Sequence, residues 1–205
     1  MGGGKFPPMR IFAILCLSLA VALPAATHVA GAQQRYSSPV ALPMDRGERI
    51  DELFSELRRA RNEAAAHRVA NRIWREWFRS GSASIDLLMQ RADQAMKARR
   101  FHAALDLLDQ VVTIAPNYPE GWNRRATVHF MMNDYSKSMA DIERTLRLEP
   151  RHFGALAGMA QILKNTGRKQ MALDAYMRVL EVYPMMRNAQ SEVGELADEL
   201  AGQGI

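Results

Sequence analysis

Three arginines, two tryptophans and a phenylalanine share the ten residues Arg72 to Gly81, "RIWREWFRSG". Interleaving of this kind can stack bases and pair phosphates, ride a membrane surface or anchor a partner protein. It can equally be one amphipathic helix. Ile73, Trp74, Trp77 and Phe78 then share one side at i, i+4 spacing, and Arg72, Arg75 and Arg79 the other. The remaining chemistry-bearing residues form no constellation. His67, His102, His129 and His152 have no second histidine or cysteine at ligand spacing. No serine sits in a glycine-flanked nucleophile elbow, and no glycine-rich loop could cradle a phosphate. Carboxylates fall as helix-surface pairs, such as Glu143 with Arg147 and Asp174 with Arg178. The expectation is a protein without a catalytic centre, metal or cofactor.

The first 32 residues read as a secretory signal. Lys5 and Arg10 precede an apolar run from Ile11 to Leu23, Pro24 breaks it, and "AGA" at Ala30 to Ala32 ends it. That run is shorter than the roughly 20 residues that span a bilayer. Leu15 before Cys16 is the wrong neighbour for a lipid-bearing cysteine. Cleavage after Ala32 would leave a mature chain beginning at Gln33 with no cysteine, so neither disulfides nor thiolate metal sites are expected. Loss of Lys5 and Arg10 lowers the formal charge from +5 to +3, too little for a nucleic-acid reader with a basic stripe. Residues 33–47, with two prolines, two serines and a glycine, read as a linker or arm.

The elements that would position any site repeat. Pro116, Pro150 and Pro184 stand 34 residues apart, each closing an apolar stretch, and define units 85–118, 119–152 and 153–186. Ala92, Ala126 and Ala160 share the eighth position, and Ala104, Ser138 and Ala172 the twentieth. Leu88, Trp122 and Leu156 share the fourth, and Leu108, Ile142 and Tyr176 the twenty-fourth. Small residues let two antiparallel helices approach, large ones fill the space between units, and proline ends the second helix. Gly167 and Asn133 suit the left-handed conformation at the turn inside a unit; Arg99 suits it less.

These residues resemble the tetratricopeptide repeat (TPR) family. The resemblance is strongest in 119–152, through Trp122, Ala126, Tyr135, Ser138 and Pro150, and covers 85–186 without a gap. Arg91 and Arg125 depart from it, standing where the family carries leucine, and Lys169 replaces a turn aromatic. Residues 48–84 continue the frame backwards as a degenerate helix pair, with Arg58 at the small eighth position and Ser82 in place of the proline. Residues 187–205 read as a capping helix and tail, with Val193, Leu196 and Leu200 at helical spacing. The resemblance implies an all-α, right-handed solenoid whose first helices line a groove for a peptide or partner helix.

Groove positions implied by the family frame are Met89, Asp93, Met96 and Lys97, then Asn123, Arg124, Thr127, Phe130 and Met131, then Gln161 and Lys164. Met96, Phe130 and Met131 could instead complete packing between units. Some members of the family hold the C-terminal carboxylate of heat-shock chaperones with fixed lysine, asparagine and arginine residues. Of that set only Asn123 and Arg124 fit here, with Met89, Asp93, Gly154 and Gly158 at other clamp positions. The sequence thus points to a non-catalytic scaffold that binds a protein or peptide partner, not nucleic acid. The leader adds export, with the periplasm of a Gram-negative bacterium as the expected site and no stable membrane insertion after cleavage. The alternative is a subunit that assembles with itself or with a membrane complex through 33–50 and the first helix pair.

Overall fold

The computed structural model describes residues 45–202, which form nine α-helices and no strand. The leader, Cys16 and the arm up to residue 44 lie outside the described residues. The helices are α1 (Arg46–Arg59), α2 (Glu63–Phe78), α3 (Ala83–Lys97), α4 (Phe101–Ile114), α5 (Pro119–Met131), α6 (Tyr135–Leu148), α7 (Phe153–Asn165), α8 (Lys169–Val182) and α9 (Arg187–Gly202).

Helices α3 to α8 pair as α3 with α4, α5 with α6 and α7 with α8. Where two backbones approach, the small residues Ala92, Ala104, Ala126, Ser138, Ala160 and Ala172 are all buried. Ser138 also donates its hydroxyl to the Ala126 carbonyl at 2.8 Å, so the one polar member of the set is satisfied across the seam. The turn inside each pair is built three times alike. Arg99, Asn133 and Gly167 have φ of 56°, 60° and 75°, spaced by the repeat period. At each, paired backbone bonds close the helix end: Arg100 N–H to Ala95 O, Asp134 N–H to His129 O, and Arg168 N–H to Leu163 O, with the shorter bond nested inside. Arg99 therefore adopts the left-handed conformation that its side chain disfavours, because the doubled bond and the packed pair over-determine the turn.

Arg125, at a position the repeat frame gives to leucine, is not a packing defect. Its guanidinium grips both oxygens of Asp141 on α6 at 2.7 and 2.8 Å and reaches Asp109 of α4 at 2.8 Å, lying 4.8 Å from the Trp122 ring centroid. One arginine thus ties three helices together where a leucine would only fill space. Arg91, the other departure, is exposed on α3.

The N-terminal pair departs from the sequence frame. A fourth repeat over 48–84 would stack α2 on α3; instead α2 packs on α5 and α1 on α8. The α1–α2 hairpin runs along the edge where the units join. Arg46 donates to the Glu76 carbonyl at 2.6 Å within the hairpin, and Tyr118 Oη donates to the Phe78 carbonyl at 3.2 Å. Farther along, Arg151 pairs with Asp51 at 2.7 Å and Arg187 with Glu63 at 2.8 Å. Its core joins Phe54, Leu57, Ile73 and Trp77 to Phe153 and Tyr183 of the third unit. The missing small residue and missing proline explain the change: Arg58 is exposed, and a pair without the close seam cannot stack as the others do. At the other end α9 covers α8 with Ala189 and Leu196 buried against it, and its outer face carries Glu195, Asp198 and Glu199.

Candidate partner-binding groove

Helices α3, α5 and α7 carry the groove positions, but their side chains divide. Met89 is a core residue, buried among Ile85, Ala92 and Leu108, so it does not face a partner. The reason is geometric: on α3 the fifth position points at α4, since no stacked fourth repeat lies in front of it. Met96 is partly buried against the same cluster. Lys97 and Met131 are exposed. Asn123, Thr127, Phe130 and Gln161 come together. With Ala126, Ser138, Ile142, Gly154, Ala155 and Gly158 they line a cleft of about 160 Å³ between α5 and α7. Gly154 and Gly158 leave the floor open, and Phe130, 5.7 Å from the Tyr135 ring, forms the apolar end.

Apart from the exposed Lys97, the polar groups of this face are already engaged. Asn123 donates its amide to Glu120 at 2.9 Å, and Thr127 donates to the Asn123 carbonyl at 2.9 Å. Arg124 bonds Asp93 at 2.6 Å and Glu120 at 3.1 Å, and lies 4.9 Å over the Phe78 ring. Gln161 donates to Asn165 at 2.9 Å and accepts from Tyr176 Oη at 3.1 Å. Lys164 is held by Glu192 and Glu195 of α9. Burial pushes the Asp93 carboxyl above its ordinary range, helped by the Glu120 carboxylate and opposed by the adjacent Arg124. Burial likewise raises the Tyr176 phenol to about 12, with Glu192 and Glu195 acting in the same direction.

Beneath the groove sits a network that the repeat frame does not contain. His152 and Glu120 are fully buried, with His152 Nε2 3.0 Å from Glu120 Oε2. The Ala155 N–H donates to His152 Nδ1 at 3.1 Å, so Nδ1 is the acceptor and Nε2 carries the hydrogen that it donates to Glu120. His152 thereby caps α7 with one nitrogen and satisfies a buried carboxylate with the other. Trp77 of α2 lies parallel on the imidazole, and Trp74 stands edge-on to it.

Helix α2 also forms one wall of the groove. Asn71, Trp74 and Phe78 line a depression with Glu120, Asn123, Arg124 and Thr127, continuous with the α5–α7 cleft through Asn123 and Thr127. The Trp74 indole rests on Gly154, where a Cβ would come within 2.7 Å of its Cη2 atom. Nothing in the period-34 pattern marks these three residues as groove residues, because it places α2 in a stack and not across the groove's edge. Among the described residues no three His, Cys, Asp or Glu side chains converge as a metal site, and no helix is long and apolar enough to cross a membrane.

The tetratricopeptide repeat model matches residues 153–184. A TPR repeat-containing protein of Rhizobium etli is 54% identical over 155 residues, which are 76% of this chain and 76% of that one. The chain belongs to the tetratricopeptide repeat family. Among solved structures, the first TPR domain of Spaghetti bound to the HSP90 peptide SRMEEVD superposes with a TM-score of 0.56 at 20% identity, covering 58% of this chain and 95% of that one. The Sgt2 TPR domain of Aspergillus fumigatus gives 0.55 at 20% identity, covering 60% and 84%. These two likenesses show the fold. In this TPR protein the three units are joined by a hairpin that runs along their edge.

Proposed function

We propose that this TPR protein is a non-catalytic scaffold that receives an uncharged, apolar-anchored segment of a partner protein in the cleft between α5 and α7. The observation that carries this reading is the state of the two cations that flank the cleft. Arg124 is matched by Asp93 and Glu120, and Lys164 by Glu192 and Glu195, while the cleft beside them is lined by Phe130, Ile142, Ala155 and Gly158. The peptide on the Spaghetti domain, SRMEEVD, carries three acidic residues among its last four. An acidic tail of that kind would have to displace internal carboxylates here, at the cost of unpairing Glu120, which is buried. An apolar side chain entering the cleft breaks no ion pair and buries its area against Phe130 and Ile142.

Export to the periplasm belongs to the same reading, on the basic, apolar and small-residue order of residues 1–32. Sequencing the N-terminus of the protein recovered from the periplasmic fraction tests it, with Gln33 as the expected first residue. Docking through the first helix pair finds less support, since Ile73 and Trp77 of its aromatic face are covered by His152, Phe153 and Tyr183 of the same chain.

A photo-cross-linking amino acid at Thr127, compared with one at the exposed Gln110 of α4, tests the groove in the native compartment. Partner adducts are expected at position 127 only, and Gly158→Leu, which fills the cleft, should abolish them. Equal adducts at both positions, or adducts that survive Gly158→Leu in a folded protein, would overturn the proposal.

A further inference from the structure

The tip of the α1–α2 hairpin holds four exposed arginines within eleven residues, Arg58, Arg59, Arg61 and Arg68. None of the four has a carboxylate partner among the described residues, and the local carboxylates are taken elsewhere. Glu56 is bonded by Arg72 at 2.6 Å, and Glu63 by Arg187 at 2.8 Å. A cleft of about 370 Å³ between the two helices is lined by Glu56, Arg59, Arg68 and Arg72, with Ala60, Ala65 and Val69 as its floor. Along α9, Glu195, Asp198 and Glu199 are exposed.

From this placement we infer that the hairpin tip is a binding site for a phosphate-bearing anion, seated between Arg59 and Arg68 and flanked by Arg58 and Arg61. Guanidinium groups offer paired N–H donors that match phosphate oxygens, and several around one concave site fit a multiply charged tetrahedral group better than a single carboxylate. Arg59 and Arg68 face the cleft with no carboxylate of their own, Glu56 being taken by Arg72, and a bound phosphate group removes their repulsion. Arg72 stays pinned by Glu56 and frames the cleft instead of entering the ligand. The phosphate can belong to a soluble ligand or to a lipid headgroup. Both present the same chemistry, and the tip is clear of the α5–α7 cleft, so the site operates independently of the partner groove.

The test uses the full chain and three proteins: wild type, the quadruple variant Arg58→Gln/Arg59→Gln/Arg61→Gln/Arg68→Gln, and a control that loses Arg91, Arg100, Arg147 and Arg178 to glutamine. Circular dichroism confirms that all three are folded, which the exposure of these side chains leads one to expect. Each is titrated with pyrophosphate by calorimetry and sedimented with phosphatidylcholine vesicles containing about 30 mol% phosphatidylglycerol. Because all three share residues 1–44, any contribution of that segment to vesicle binding cancels. Wild type and control should bind at least one probe, and the quadruple variant should bind it at least about tenfold more weakly, with the difference shrinking at high salt. Binding of pyrophosphate identifies a soluble ligand, and binding of vesicles alone a headgroup. The inference is overturned if wild type binds neither probe, or if the quadruple variant and the control weaken binding equally.

Discussion

The Trp77 indole lies parallel on the His152 imidazole, with centroids 4.0 Å apart and 9° between the planes. This stack joins the N-terminal hairpin to the start of the third repeat, and directly beneath it His152 meets Glu120. Replacing His152 by alanine removes the stack, the cap on Ala155 N–H and one partner of a buried carboxylate. The expected cost is about 2–4 kcal/mol in urea unfolding followed by tryptophan fluorescence. The Trp77 indole nitrogen makes no hydrogen bond. Trp77→Phe therefore loses ring area without losing a bond and should cost less than His152→Ala, about 1–2 kcal/mol. Equal costs would show that the stack, and not the His152–Glu120 bond, dominates the joint.

Gly154 and Gly158 lie one turn apart on α7 and should answer alanine differently. A Cβ at position 154 falls 2.7 Å from Trp74 Cη2, whereas one at 158 falls 3.4 Å from Ile142 Cδ1. Alanine gains about 1 kcal/mol of helix propensity at either site. At 154 the displaced indole should outweigh that gain, for a net loss of about 1–2 kcal/mol. At 158 the net change should be near zero or stabilising. Thermal melts of the two variants, with the Trp74→Leu background as a check, test the pair. Gly154→Ala should become harmless once the indole is gone.

Arg124 stands where a partner-binding cation is expected, and the structure gives it an internal task. It is the shared partner of Asp93 on α3 and Glu120 on α5. Arg124→Ala leaves a buried carboxylate short of a cation and should destabilise by about 2–4 kcal/mol. Arg124→Lys, with one ammonium in place of a fork, should recover only part of the loss. Asp93→Asn should cost less than about 1 kcal/mol, because burial already opposes the charge at that position. A double-mutant cycle between positions 93 and 124 measures the coupling directly. If Arg124→Ala melts like the wild type, the residue is free for a partner after all.

The repeat units were legible because they follow from short-range rules. Period, small residues at the seam, and a proline at each end leave one arrangement for six helices, and the three left-handed turns at 99, 133 and 167 fall where the period puts them. The path of the first pair was not legible. Its own pattern says only that Ile73, Trp74, Trp77 and Phe78 share a face, and a face is blind to which distant surface it will meet. The partner turned out to be the unit junctions, through Phe153, His152 and Tyr183, residues separated from α2 by more than 70 positions. His152 was equally hidden. Spacing rules look for neighbouring ligands, whereas its partners Glu120 and Trp77 come from two other helices. Among groove positions, Asn123, Thr127, Phe130 and Gln161 could be placed by the repeat frame alone. Met89 could not, because its exposure depends on what stacks in front of α3.

His129 gives the fold a pH dependence with a definite sign. It is buried at the end of α5, and burial pulls its imidazole below the ordinary value of 6.5, outweighing the pull of Asp141 and Asp134. In the unfolded chain the same imidazole takes up a proton near its ordinary value. Between the two values the unfolded state binds more protons, so this group's contribution to stability falls as pH drops below about 6.5 and is constant above it. Arg125 and Lys137 oppose protonation in the folded state and act in the same direction as burial. Urea midpoints measured between pH 5 and 8 (values bracketing an ordinary imidazole) should therefore decline on the acid side. In His129→Gln, which cannot take up the proton, that decline should flatten. An unchanged slope in the variant would place the acid sensitivity on a different group.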